Sequence, residues 1–333
     1  MPEIVATTPG LFPLPDWAKD ELSDLKGHQK TDLISGDEGG AISDAYDRAR
    51  SEVVSLQTDA GLDRVSEGQL RWDDMLAHPL AVHENVETRG IVRYYDNNNF
   101  YREPVVTDDL TTGGDVAAEL DAAAELVDSG LQAVLPGPYS LADLATDEHY
   151  GDEAEFVGAI ADFLVREVEQ FPDVETLFLL EPSLAENPPE DGEDERASEA
   201  VDAVASAIDA EVVVHTYWGP IEEKTYAHLM DAAVDAIGFD LVADHDKNVY
   251  NVQEYGTKDS VALGVADGQN TRIESPETIR DRIDWFEQQT NTAYDTVYAT
   301  TNTETFYLPV NKFEDKIRSL ANAAALDTPE ADQ

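Results

Sequence analysis

The sequence predicts an α/β protein, a (β/α)8 barrel of the TIM type, on three observations. Short β-branched runs alternate with long amphipathic stretches along the whole chain, the pattern of parallel strands joined by crossover helices. Polar residues follow nearly every apolar run directly, as they do where barrel strands end in functional loops. No glycine-rich turn follows the first run, so a dinucleotide-binding fold lacks its phosphate loop.

In chain order, the strand candidates are Ile4–Thr8, Leu62–Glu67, Ile91–Tyr95, Gln132–Leu135, Thr176–Glu181, Glu211–Tyr217, Ala236–Leu241, Val261–Val265 and Thr296–Thr301. That is one more than an eight-stranded barrel holds, and the run around Tyr94–Tyr95 is expected to extend past the barrel as a hairpin arm. Apolar residues at three- and four-residue spacing predict helices over Glu38–Ala60, Gly113–Ser129, Asp152–Phe171, Arg196–Ala210, Glu222–Ala236, Ser275–Thr290 and Val310–Ala324. Ser275 before Pro276 is a helix start signal, an N-cap hydroxyl followed by proline at the first helical position. Residues Glu186–Arg196 read as an exposed acidic loop. Residues 1–325 are expected to form a single barrel, and 326–333 a flexible acidic tail.

Composition narrows the function. The 333 residues carry 71 acidic and 21 basic side chains, a formal net charge of −50. Self-repulsion on that scale destabilises a compact chain in ordinary saline. Molar salt shortens the Debye length to ~3 Å and removes most of it. The acid is spread over helix faces (Asp115 to Asp128, Asp152 to Glu169, Asp202 to Glu211), as on a halophilic surface. No basic footprint for nucleic acid is present. There are no cysteines, which excludes disulfides, thiolate nucleophiles and thiolate metal ligands. No apolar run approaches the ~18 residues of a membrane span, and the N-terminus lacks a signal-peptide pattern. A soluble, cytoplasmic protein is expected.

The candidate site lies at the strand ends. Glu181 closes a fully apolar run and either binds a cationic or hydroxyl group or accepts backbone donors. His215 follows three valines and is either a ligand-binding imidazole or a group hydrogen-bonded within the core. Asp240 invites pairing with His215 around a metal, but two ligands are too few for a tetrahedral zinc site. Other rim residues are Glu67, Asp96, Asn98, Tyr217, Asn270 and the run Thr301–Glu304.

At these residues the chain resembles the amino-terminal barrel of cobalamin-independent methionine synthases, within the barrel superfamily that includes uroporphyrinogen decarboxylase. The resemblance runs collinearly over residues 5–325. It is carried by Phe12–Pro13, Gly61–Asp63 with Glu67–Gly68, Arg93–Tyr101, Val134–Pro138, Leu180–Leu184, Thr216–Tyr217, Phe239–Val242 and Leu263–Asn270. Such proteins are double barrels whose carboxy-terminal half holds zinc through His, Cys, Glu and Cys. The corresponding positions here read Tyr217, Gly219, Asp240 and Thr305, so the resemblance implies no metal on this chain. It also implies methyl-tetrahydrofolate, polyglutamylated, as methyl donor, with Lys19 and Arg93 at the cationic positions for its glutamate tail. Asp96, Asn98, Glu181, His215, Tyr217, Asp240 and Asn270 complete the implied substrate-binding set, with no catalytic residue assigned. Two arrangements stay open. One is the folate-binding half of a split methyltransferase of methionine biosynthesis, acting with a separate zinc-bearing barrel. The other is a non-catalytic pterin- or folate-binding barrel, or a metal-free decarboxylase.

Overall fold

The computed structural model describes residues 2–22, 38–95, 99–243 and 245–326. Eight strands form one parallel sheet in the order β1-β11-β10-β9-β8-β7-β5-β2. They are β1 (Glu3–Ala6), β2 (Val65–Ser66), β5 (Leu131–Pro136), β7 (Thr176–Leu180), β8 (Glu211–His215), β9 (Ala236–Asp240), β10 (Ser260–Ala266) and β11 (Thr296–Thr301). Eight of the nine strand candidates fall in this sheet. The ninth lies in β3 (Val86–Arg93), which pairs antiparallel with β4 (Phe100–Val106) in a separate three-stranded sheet completed by β6 (Thr146–Asp147). It is therefore the expected arm.

Central strands such as β7 are buried along their whole length, because a parallel sheet is covered on both faces and its strands carry no polar side. That is why Thr176–Leu180 reads as an unbroken apolar run rather than an alternation. The sheet's two edge strands meet through hydrogen bonds outside any ladder. Asp63 N and Arg64 N donate to Ala6 O (3.0 and 3.3 Å), and Ala6 N donates to Asp63 Oδ2 (2.7 Å). Two glutamines extend this seam. Gln132 accepts from Thr7 Oγ1 (2.6 Å) and donates to Thr8 O (2.7 Å), while Gln69 accepts from Leu11 N (2.5 Å) and donates to Val134 O (3.3 Å).

The seven predicted helices all form, most of them shorter than expected. Ser275 caps the helix Pro276–Thr290 by accepting from Thr278 N (3.3 Å), with Pro276 in its first turn. The acidic stretch 186–196 is corrected in part. Glu193–Ala205 is helical and Asp194 is buried, its Oδ1 accepting from Gly192 N and Glu195 N (both 3.0 Å). Two free backbone donors at that helix start therefore draw one acid out of the loop. The segment 327–333, expected as a tail, lies outside the described residues. Among the described residues no helix is long and apolar enough to cross a membrane.

Candidate functional site

The strand C-termini converge on a buried cluster of acids and aromatic rings. Glu181, just after β7, is fully buried and accepts from Tyr139 N (3.0 Å) and Ser140 N (2.7 Å). The short helix Pro138–Asp143 thus aims its first amides at a carboxyl, as helix N-termini favour. Gly137 leaves the space: a Cβ there would run into the Glu181 side chain. Burial pushes Glu181 up to about 7, against the lowering effect of the Ser140 and Tyr139 bonds.

Glu304, after β11, is the second acid. Its Oε1 accepts from the Tyr217 hydroxyl (2.5 Å), and its Oε2 has no hydrogen-bond partner among the described residues. Burial pushes it up to about 8, with the Tyr217 bond and its own backbone N–H lowering it and the Asp74 charge raising it. Glu67, after β2, is pushed by burial up to about 8, and its Oε2 accepts from Gln69 N (2.7 Å). Asp74 is also buried, accepting from the Tyr94 hydroxyl (2.6 Å), Leu76 N and Ala77 N.

Aromatic rings surround these acids. The Tyr94 ring centroid lies 4.4 Å from that of Tyr101 and 5.9 Å from Tyr95; Tyr95 lies 5.4 Å from Trp218, and Trp218 lies 4.8 Å from Tyr217. The Tyr95 hydroxyl shares a hydrogen bond with Ser183 Oγ (2.6 Å), which also bonds Asp143. Leu11, Gln69, Tyr95 and Trp218 all have positive φ in loops following strands. Backbones held there cost about 1–3 kcal/mol each and persist only where the surroundings over-determine them. Three of the four, Leu11, Gln69 and Trp218, follow strands β1, β2 and β8 at the C-terminal end of the eight-stranded sheet.

His215 and Asp240 come together, but through protein groups. Both are fully buried. His215 Nε2 bonds Asn302 O (2.8 Å), which makes Nε2 the donor, and Nδ1 has no partner. A Cβ on Gly238 would strike that Nδ1. Burial holds the imidazole below its ordinary range, so it is neutral at pH 7, although the Asn302 bond and Asp240 oppose the shift. Asp240 Oδ1 accepts from Val242 N and Ala243 N, and Oδ2 from Trp218 N and Asn302 Nδ2. Neither side chain offers a free pair of ligand atoms.

The other candidates take no part in the bonds named above. Lys19 is on the helix Asp16–Leu22, paired with Asp16 (3.3 Å). Arg93 ends β3, its guanidinium 5.7 Å from the Phe100 ring centroid. Asn270 is exposed and accepts from Arg272 N (3.0 Å). Asp96 and Asn98 lie outside the described residues. Sequence reasoning did not single out Asp74, Ser140 or Ser183, which sit on turns and short helices with no periodic signal. Glu304 was visible only as part of a polar run.

The zinc positions implied by the resemblance do not fit a metal. The Tyr217 hydroxyl is bound to Glu304, Gly219 has no side chain, Asp240 is filled by four donors, and Thr305 Oγ1 donates to Leu11 O (3.4 Å). Among the described residues one group of side chains is close enough to share an ion: Asp108, Asp109 and His149, all exposed. An open cleft of about 400 Å³ shares Tyr139 and Asp143 with the cluster. Its walls carry Asp143, Asp147, Asp152 and Glu153 and no cation, which suits no carboxylate-rich ligand.

Fold and site together define a parallel α/β protein whose polar centre lies at the strand C-termini. The family described as cobalamin-independent synthase, N-terminal domain, matches residues 81–291, and the chain belongs to that family. It is 23% identical over 296 residues to a methionine synthase of Saccharolobus solfataricus, covering 85% of this chain and 83% of that one. A methionine synthase of Sulfurisphaera tokodaii is 24% identical over 291 residues, with 85% and 81% covered. The structure of a B12-independent methionine synthase from Shewanella sp. W3-18-1, in complex with selenomethionine, superposes with a TM-score of 0.79 at 18% identity, covering 98% of this chain and 97% of that one. These relatives are of similar size to this chain.

Proposed function

We propose that this chain is the methyl-folate-binding barrel of a methionine synthase, and that a separate zinc-bearing barrel supplies the activated homocysteine thiolate. The curled sheet is read as a closed (β/α)8 barrel, its seam formed by the bonds at Ala6, Gln69 and Gln132. It is further read as a cytoplasmic protein at work in molar salt. The observation that carries the functional reading is the family's strand-end site without a thiolate or free metal ligands at Tyr217, Gly219, Asp240 and Thr305. A thiol with a pKa near about 8.5 is only a few per cent thiolate at neutral pH unless a metal or cation lowers it. Burial beside Asp74, Glu181 and Glu304 acts in the opposite direction.

Lys19 and Arg93 are proposed to hold carboxylates of the folate's glutamate tail. In a chain of net charge −50, a polyanionic ligand needs such local cations. Calorimetric titration at molar KCl with mono- and triglutamyl 5-methyl-tetrahydrofolate tests this. Arg93→Ala is expected to weaken the triglutamyl form by roughly tenfold, the scale of one charge-assisted bond, and the monoglutamyl form less. Equal losses for both tail lengths would remove Arg93 from the tail site.

A further inference from the structure

The Glu304 carboxyl is half satisfied. It is buried, its Oε1 is fixed by the Tyr217 hydroxyl at 2.5 Å, and its Oε2 meets no partner among the described residues. Buried side-chain oxygens in native folds nearly always have a partner, and an unpaired one calls for an explanation such as a ligand or water. Glu181 and Asp240 differ on this point, with donors on both oxygens. Glu181 receives two backbone donors, Asp240 receives four donors, and Asp74 receives a hydroxyl and two amides. The three donors to Asp74 all reach Oδ1, and Glu304 Oε2 is the one carboxylate oxygen among the described residues that is both fully buried and without a hydrogen-bond partner.

Its surroundings define what it could hold. Tyr217 anchors the carboxyl and is packed edge-on against Trp218, which is packed in turn against Tyr95. Tyr307, three residues on from Glu304, is 48% exposed and lies close enough to Asp74 and Glu304 to feel both charges. An acceptor held by one ring of an aromatic chain suits a flat heterocycle that bears N–H donors on one edge. A lone carboxylate oxygen is too little for a metal ion, which needs several ligands.

We propose that Glu304, held by Tyr217, binds the amino-pyrimidinone edge of a pteridine ring, with Oε2 accepting a hydrogen bond from the ring's amino or amide N–H. This rests on the folate reading above and assigns the ring, as distinct from the tail, to this chain's own strand ends.

The test compares 5-methyl-tetrahydrofolate with its analogue lacking the 2-amino group, titrated calorimetrically into the full chain at molar KCl. The wild-type protein is expected to bind the analogue about tenfold or more weakly than the parent, the scale of one buried hydrogen bond. Glu304→Leu, which removes the acceptor and leaves no ionisable group, is expected to bind the parent about tenfold more weakly and no longer to distinguish the two. Equal affinity of the wild-type protein for both compounds overturns the assignment while the folate reading stands. Undiminished discrimination by Glu304→Leu does the same. Binding of neither compound by the wild-type protein removes the folate reading and this inference together. The wild-type comparison needs no variant, so it decides the matter even if Glu304→Leu does not fold.

Discussion

Transfer from molar KCl to roughly 50 mM salt is expected to unfold this protein or to lower its melting temperature by tens of degrees. The 71 acids outnumber the 21 basic side chains by fifty, and many of the cations are already engaged. Arg50 bonds Asp47 and Glu119, Arg71 bonds Glu38 and Glu119, and Lys316 is buried against Glu274 (2.7 Å). Exposed acids repeat along outer helix faces, among them Asp44, Asp47, Glu52 and Asp59 on one helix and Glu153, Glu155 and Asp162 on another. At 1 M salt the screening length of ~3 Å is shorter than the spacing of such neighbours, whereas below 0.1 M it exceeds ~10 Å and their repulsions add. Domains are stable by only about 5–15 kcal/mol, so a repulsive sum of several kcal/mol decides between folded and unfolded. Circular dichroism melts across a KCl series check this. An unchanged melting temperature from 50 mM to molar salt would contradict it.

The second large effect concerns pH. Glu67, Glu181 and Glu304 are pushed by burial to about 8, 7 and 8 from an ordinary value of 4.5. The folded state therefore keeps protons that the unfolded chain loses. Stability contributed by these three groups is fully present below pH 4.5 and is lost as pH rises to about 8. His215 and His83 act in reverse, since burial favours their neutral rings and so favours folding as pH rises through 6.5, but they are two groups against three. Melting temperature in molar KCl is expected to be highest near pH 5–6 and to fall toward pH 8, a net loss of several kcal/mol. Glu304→Gln cannot ionise and should make the decline shallower. A melting temperature that climbs from pH 5 to pH 8 would show that these carboxyls ionise normally.

Much of the fold was legible because parallel strands buried on both faces are written as apolar runs, and eight such runs are the eight sheet strands. The arm's second strand, Phe100–Val106, was missed. Pro104 and the charged Arg102 and Glu103 break its alternation, and it gains its partners from β3 and β6 rather than from a core. The helix His245–Tyr255 was missed for a related reason. Its inner face includes the buried Asn248 and Asn251, and Asn251 donates to Ile221 O (2.8 Å), so the apolar stripe is thin. At the site, the strand-end rule found Glu181, His215, Tyr217 and Asp240. It could not show that His215 and Asp240 are tied to each other through Asn302, because that bond joins residues far apart in sequence. Nor could it single out Glu304, whose role depends on Tyr217 arriving from another strand.

The measurement that reaches the central claim most directly is methionine formation from homocysteine and 5-methyl-tetrahydrofolate by the isolated chain at molar KCl with zinc supplied. With no cysteine in the chain and no free set of metal ligands at the strand ends among the described residues, no turnover above the uncatalysed rate is expected. Activity should appear only when a zinc-bearing methionine synthase barrel is added. Methionine formed catalytically by this chain alone would contradict the half-enzyme reading and would require a route to the thiolate that uses none of the side chains described at this site.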